Sequence, residues 1–115
     1  MKKNRVLTER YIESTITKKA VELGFVTYKF TSPSNRGVPD RIFINKTGQI
    51  FFIEFKSLSG KVTSLQRMVF SKLIHRGISI YLVNNIQRGM DILNSNINKI
   101  KCTSIYDPLY EPTAT

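Results

Sequence analysis

The chain is predicted to adopt an α/β fold, a mixed central β-sheet flanked by helices in the order α-β-β-β-α-β. Three observations carry this reading. Two segments repeat apolar residues at helical spacing, several short runs are rich in Ile, Phe, Val and Tyr, and glycines or turn-forming clusters punctuate them. A helix placed between the third and fourth strands also requires a crossover, which makes that last pair parallel within an otherwise antiparallel sheet.

The first helix runs from about Thr8 to Leu23, with Ile12, Ile16, Ala20 and Leu23 forming one apolar stripe. Thr8 is a suitable N-cap, Glu9 complements the helix dipole in the first turn, and Gly24 supplies the stop. Phe25 to Phe30 alternates as a strand, and Thr31 to Gly37 has loop composition. Two strands follow, about Asp40–Ile44 and Ile50–Lys56, joined by Asn45-Lys-Thr-Gly-Gln49. A three-residue loop, Lys46-Thr47-Gly48 with Gly48 left-handed, pairs Asn45 with Gln49, so that paired residue numbers sum to 94. In that register Ile42, Ile44, Ile50 and Phe52 share one face, and Phe43, Phe51, Ile53 and Phe55 share the other. Two apolar faces imply a sheet covered on both sides.

The polar loop Ser57 to Lys61 leads to a second helix over about Thr63 to Arg76, with Leu65, Val69 and Leu73 at i, i+4, i+8. Gly77 ends it, Ile78 to Val83 forms the fourth strand, and a weaker helix covers Ile86 to about Leu93. From Asn94 onward the Asn and Pro content predicts mostly irregular structure.

Charge narrows the function. There are 18 Lys+Arg against 8 Asp+Glu, a net charge of +10, which favours polyanions through counterion release and points first to nucleic acid. The plainer alternative is that the charge only aids solubility. One cysteine, Cys102, excludes an internal disulfide and suits a small buried hydrophobe. One histidine, His75, excludes chemistry built on paired histidines; near the end of the second helix it suits the dipole. No apolar run approaches the ~20 residues of a membrane span, and no signal peptide follows the basic N-terminus. An intracellular, reducing setting is expected.

The same register places Asp40 opposite Glu54, with Lys56 projecting from the same face. Like charges directly opposite on a sheet are destabilising, and a partly buried carboxylate pair must protonate or find a cation. Lys56 offsets one charge, and a divalent metal would satisfy the rest. Carboxylate oxygens without a Cys or His cluster suit Mg²⁺ or Mn²⁺. Such an ion polarises a phosphate and acidifies a water, and a nearby lysine can orient that water or stabilise developing negative charge. Taken alone, Glu54-Phe-Lys56 reads more readily as ordinary cross-strand glue. Its place inside the apolar run Ile50 to Phe55 argues for a working site.

Gly37-Val-Pro-Asp40 followed by Ile53-Glu-Phe-Lys56 resembles the Pro-Asp…Glu-x-Lys signature of the PD-(D/E)XK nuclease superfamily. More closely, the ordered blocks Tyr28-Lys-Phe-Thr-Ser-Pro33, Arg36-Gly-Val-Pro-Asp-Arg41, Glu54-Phe-Lys56 and Ser64-Leu-Gln66 resemble the VRR-NUC family over about residues 9–83. The resemblance implies a restriction-endonuclease-like fold in a single domain spanning 1–115, its motif-bearing core followed by a C-terminal extension over 84–115. It makes Asp40 and Glu54 metal ligands, joined by the carbonyl of Phe55, with Lys56 the catalytic lysine and Gln66 positioning water or phosphate. A helix-borne glutamate of the family maps to Glu13, which the resemblance makes a further metal ligand and catalytic residue of the same site, with Glu9 one turn earlier as second choice. Gln66, three residues after Thr63, also fits the N3 position of a capping box, and the two roles are compatible. Glu13 has a plainer reading as a solvated helix flank. Lys29, Arg36, Arg41 and Lys61 are candidates for nucleic-acid backbone contacts, or ordinary surface charges.

The implied activity is Mg²⁺- or Mn²⁺-dependent endonucleolytic hydrolysis of DNA phosphodiesters, leaving 5′-phosphate and 3′-hydroxyl ends. A stand-alone domain of this type resembles Holliday-junction resolvases, which implies branched DNA as substrate and a homodimer as the working form. A flap, nicking or restriction-type nuclease is the alternative within the enzyme class; a non-catalytic basic nucleic-acid-binding protein is the alternative outside it. The resemblance implies neither an organic cofactor nor a membrane partner, and places the protein in the cytoplasm of a bacterial or phage-infected cell.

Overall fold

The computed structural model describes residues 7–100. Cys102 and the tail around it lie outside the described residues. The elements are α1 (Glu9–Glu22), β1 (Val26–Lys29), β2 (Arg41–Ile44), β3 (Ile50–Phe55), α2 (Ser64–Ile74), β4 (Ser79–Val83) and α3 (Ile86–Asn96). The four strands form one sheet in the order β1-β2-β3-β4. The first three run antiparallel, and β4 joins β3 in parallel after the α2 crossover.

The hairpin register is the expected one. Phe43 pairs with Phe51 and Ile44 with Ile50, and Gly48 takes the left-handed conformation at φ 87° that closes the turn. Asn45 locks this corner. Its Oδ1 accepts from the amides of Thr47 and Gln49, and its Nδ2 donates to the carbonyls of Asn96 and Lys99.

Alternation then decides which face is core. Phe43, Phe51, Ile53 and Phe55 are buried against Ile12, Ile16 and Ala20 of α1 and Ile92 and Leu93 of α3. Phe51 is its centre, stacked on Phe43 at 5.3 Å between ring centroids and meeting Phe25 and Tyr81 edge-on. The opposite face is only partly covered. Phe52 is buried beside Phe30, whereas Ile42, Ile44 and Ile50 stay half-buried. The reason is that α2 sits towards the β4 end and over Gly37, not over the middle of the hairpin.

Helix α3 is longer than composition suggests, reaching Asn96 where irregular structure from Asn94 is expected. Asn and Ser are poor helix formers because they compete with the backbone for hydrogen bonds. Here that competition is turned inward: Ser95 Oγ and Asn96 Nδ2 both donate to the carbonyl of Ile92, and Asn96 is buried.

Helices α1 and α3 touch at Gly89. A Cβ there would lie 2.5 Å from Cδ1 and 2.6 Å from Cγ1 of Ile16, which is itself fully buried. The substitution G89A gains about 1 kcal/mol of helix propensity but overpacks a site where about 1–3 kcal/mol is the usual penalty. A net loss of stability is expected, read as a lower urea midpoint. A raised midpoint would mean that the two helices can spread freely.

Candidate active site

The site lies at the end of the β2–β3 hairpin remote from its turn. The ladder ends at Arg41 opposite Ile53, and one step beyond it Asp40 and Glu54 meet. They do not face each other as bare charges. The Asp40 amide donates to Glu54 Oε1 at 3.1 Å, and the Phe55 amide donates to Asp40 Oδ2 at 2.9 Å. Each carboxylate thus accepts a backbone N–H from the other's strand, which lowers the cost of placing two acids side by side. Pro39, fully buried, sets the chain's approach to this point.

Glu54 is 3% exposed. Its Oε2 is shared between Lys56 Nζ at 3.0 Å and Gln66 Nε2 at 2.8 Å, while Lys56 Nζ also donates to Gln66 Oε1 at 3.0 Å. Three side chains therefore close a ring of hydrogen bonds. Gln66 reaches it from the first turn of α2, where its Oε1 also accepts from the Thr63 amide and the Thr63 hydroxyl accepts from the Gln66 amide. The capping box and the contact to the acid coexist in one residue.

Burial pushes the carboxyl of Glu54 above its ordinary range, and the neighbouring charge of Asp40 adds to this; the bonds from Lys56 and Gln66 oppose it. Asp40 is also raised, first by burial and then by Glu13, against the Phe55 amide and the charges of Lys29 and Lys56. In the metal-free protein both groups thus hold their protons more tightly when folded than when unfolded. Their contribution to stability is greatest when both are protonated. It is lost as pH rises from the ordinary values of 3.8 and 4.5 through the raised ones. The stability of the wild type relative to D40N/E54Q, both in chelator, is therefore expected to fall as pH rises above these ordinary values, by urea titration. A difference that stays flat as pH rises would contradict the direction of both shifts.

Glu13 stands apart from this ring. It comes from α1, on the core side of the sheet, and its carboxylate is held by Lys29 Nζ at 3.0 Å and Arg41 Nε at 3.1 Å. Among the described residues, no three His, Cys, Asp or Glu side chains are gathered as one metal-holding group. Glu9, one turn earlier, accepts from the Ser57 amide at the exit of β3. Lys29 and Arg41 are thus engaged with a carboxylate. Arg36 is exposed in the loop before β2, and Lys61 is exposed on the rim of a cleft that includes Lys56. That cleft also includes Arg67, Asn84 and Arg88, which no sequence motif marks.

The donor chemistry at Asp40 and Glu54 fits a hard divalent cation. Two carboxylates and a backbone carbonyl at Phe55 are oxygen ligands, and Mg²⁺ commonly takes one or two carboxylates and keeps several waters. Asp40 spends Oδ2 on the Phe55 amide, which leaves Oδ1 without a protein donor among the described residues.

The sheet topology and the carboxylate pair at the open end of its β2–β3 hairpin define a restriction-endonuclease-like α/β domain. A solved structure named "VRR_NUC domain" shares this fold, with a TM-score of 0.71 at 20% identity, over 78% of this chain and 99% of that one. "Putative nuclease p44" of Acyrthosiphon pisum secondary endosymbiont phage 1 is 32% identical over 81 residues, which is 70% of this chain and 87% of the relative. No protein-family model matches the chain. The chain belongs to the same family as this phage relative and shares the fold of the VRR_NUC domain.

Proposed function

We propose that the protein is a metal-dependent, structure-selective DNA endonuclease that resolves branched DNA, Holliday junctions first among them, as a homodimer. The observation that carries the catalytic part is the ring of Glu54, Lys56 and Gln66, joined by Asp40, at the open end of the β2–β3 hairpin. A buried carboxylate is expensive to maintain, and this one is kept beside a second acid and a lysine. The name of the phage relative supports nuclease activity.

In this reading Asp40, Glu54 and the Phe55 carbonyl hold Mg²⁺ or Mn²⁺. The ion would polarise the scissile phosphate and acidify the attacking water. Lys56 orients the water or offsets the negative charge that builds on the phosphate. Gln66 fixes the positions of Lys56 and Glu54 through its two amide atoms. Glu13 is the helix carboxylate of the site, with Glu9 the alternative; in the observed geometry it orients Lys29 and Arg41. Those two, with Arg36 and Lys61, contact the DNA backbone. A C2 dimer matches the two-fold character of a four-way junction and supplies one site for each of two strands.

The test is cleavage of a synthetic four-way junction with and without Mg²⁺, wild type beside E54A. Metal-dependent cutting lost in the variant, with binding retained, supports the reading. Equal cutting of linear duplex would replace the resolvase with a flap, nicking or restriction-type nuclease. Cutting that is absent from the wild type, beside retained binding, would leave a non-catalytic nucleic-acid-binding protein.

A further inference from the structure

The cleft that adjoins Lys56 has a volume of about 520 Å³ and is bordered by Lys61, Arg67, Asn84 and Arg88. It lies where the parallel strands β3 and β4 end together, since the Lys56 amide donates to the Val83 carbonyl and Asn84 follows directly. Four cationic side chains converge here, Lys56 among them. Lys56 is taken by Glu54, but among the described residues no carboxylate lies within salt-bridge distance of Lys61, Arg67 or Arg88. On the opposite flank Lys29 and Arg41 are both paired with Glu13, beside Arg10 and Lys18. Among the described residues, the cleft next to Lys56 thus holds three cations with no carboxylate partner.

Their placement is costly for the protein on its own. Arg67 follows Gln66 in the first turn of α2, and Arg88 is in the first turn of α3, where its amide is capped by Asn85. The positive end of a helix dipole favours a carboxylate at such positions and disfavours a cation. Neither helix has an acid in its first turn, whereas α1 does. Arg88 is moreover held in place, its Nε donating to the Leu82 carbonyl at 2.8 Å, so its remaining guanidinium nitrogens are presented from a fixed stem. Cations around a concave surface beside the reacting centre, one of them held by the Leu82 carbonyl, are suited to an anion.

We propose that this cleft is a phosphodiester-binding subsite for the substrate strand. It is contacted by Arg67, Arg88 and Lys61, and it lies on the β4 side of the scissile phosphate. It rests on the nuclease reading and adds a direction to it: the backbone leaves the Asp40–Glu54 pair across Lys56 towards α3. The strand is gripped there by cations that have no carboxylate partner among the described residues. On the Glu13 side, a phosphate would have to compete for Lys29 and Arg41.

The experiment measures binding of fluorescent junction DNA in Ca²⁺, without cleavage, over a range of salt. It compares wild type, R67Q, R67Q/R88Q and the charge-matched K46Q/K99Q, whose residues lie by the hairpin turn at the far end of the sheet. Loss of two phosphate contacts is expected to reduce the slope of log K against log salt by about 2, and R67Q alone by about 1. The control pair should leave the slope near the wild-type value. In Mg²⁺, cleavage at subsaturating DNA should fall in parallel with affinity. R67Q is on an exposed position of α2, so it remains informative if R67Q/R88Q unfolds. Equal slopes for the subsite and control variants would overturn the subsite while leaving the nuclease reading intact. A wild type that neither binds nor cuts DNA would overturn both.

Discussion

Replacing Glu54 with glutamine is expected to reduce DNA cleavage by about 10³-fold or more while the protein stays folded. The two effects separate because they come from different properties of one side chain. Folding bears the burden of Glu54's charge: burial and the Asp40 carboxylate both push it towards the neutral form. Glutamine removes that charge, keeps the shape, and still offers an oxygen to the Asp40 amide or to Lys56. Metal binding needs the charge itself, because a hard divalent cation is held by anionic oxygen. A readout independent of cleavage follows. If Mg²⁺ binds at Asp40 and Glu54, a concentration one hundred times its Kd stabilises the wild type by about 2.7 kcal/mol, and E54Q by much less. Thermal unfolding with and without Mg²⁺ measures this. An equal Mg²⁺ shift in both proteins would place the ion elsewhere, and retained cleavage by E54Q would remove Glu54 from the chemistry.

The largest expected effect on stability is at Phe51. It is fully buried and has Phe43, Phe25 and Tyr81 as ring neighbours at 5.3, 5.8 and 5.6 Å. Cutting a buried phenylalanine to alanine costs about 3–5 kcal/mol, because the lost burial is compounded by a cavity that tightly packed neighbours cannot fill. Domains of this kind are held by only about 5–15 kcal/mol, so F51A should lose a large share of the total. Urea unfolding is the measurement, and a loss below about 1 kcal/mol would show that the aromatic cluster can collapse onto the gap. The same strand carries Glu54 and Lys56, so a shift of β3 should also weaken the site.

Glu54 and Phe51 were legible in the sequence for a common reason. A three-residue hairpin loop with a left-handed glycine admits one register, and period-two alternation then assigns every residue on both strands to a face. Asp40 opposite Glu54, the aromatic core face, and Lys56 beside the acids all follow from that arithmetic. Gln66 was legible twice, as the N3 residue of a cap and as part of a motif; it forms the capping box and also donates to Glu54. The helix-borne acid was less legible. Glu9 and Glu13 lie one turn apart on one face of α1, and spacing does not say which cations will meet them. The structure gives Glu13 to Lys29 and Arg41, and Glu9 to the Ser57 amide. The end of α3 was hidden for a related reason: Asn and Ser read as helix breakers until their side chains bond back to Ile92.

By itself, then, the sequence determined what depends on local periodicity and on register: the element order, the two faces of the hairpin, and the acids that meet at its open end. These follow from backbone geometry, which repeats every two or 3.6 residues whatever surrounds it. Only the tertiary structure decided which cations are neutralised and which have no carboxylate partner among the described residues. Lys29 and Arg41 are sequestered by a helix 16 and 28 residues away in the chain, while Arg67 and Arg88 come from different helices to one cleft. Side-chain electrostatics depends on distance in space, and no spacing along the chain encodes the angle at which α1, α2 and α3 cross the sheet.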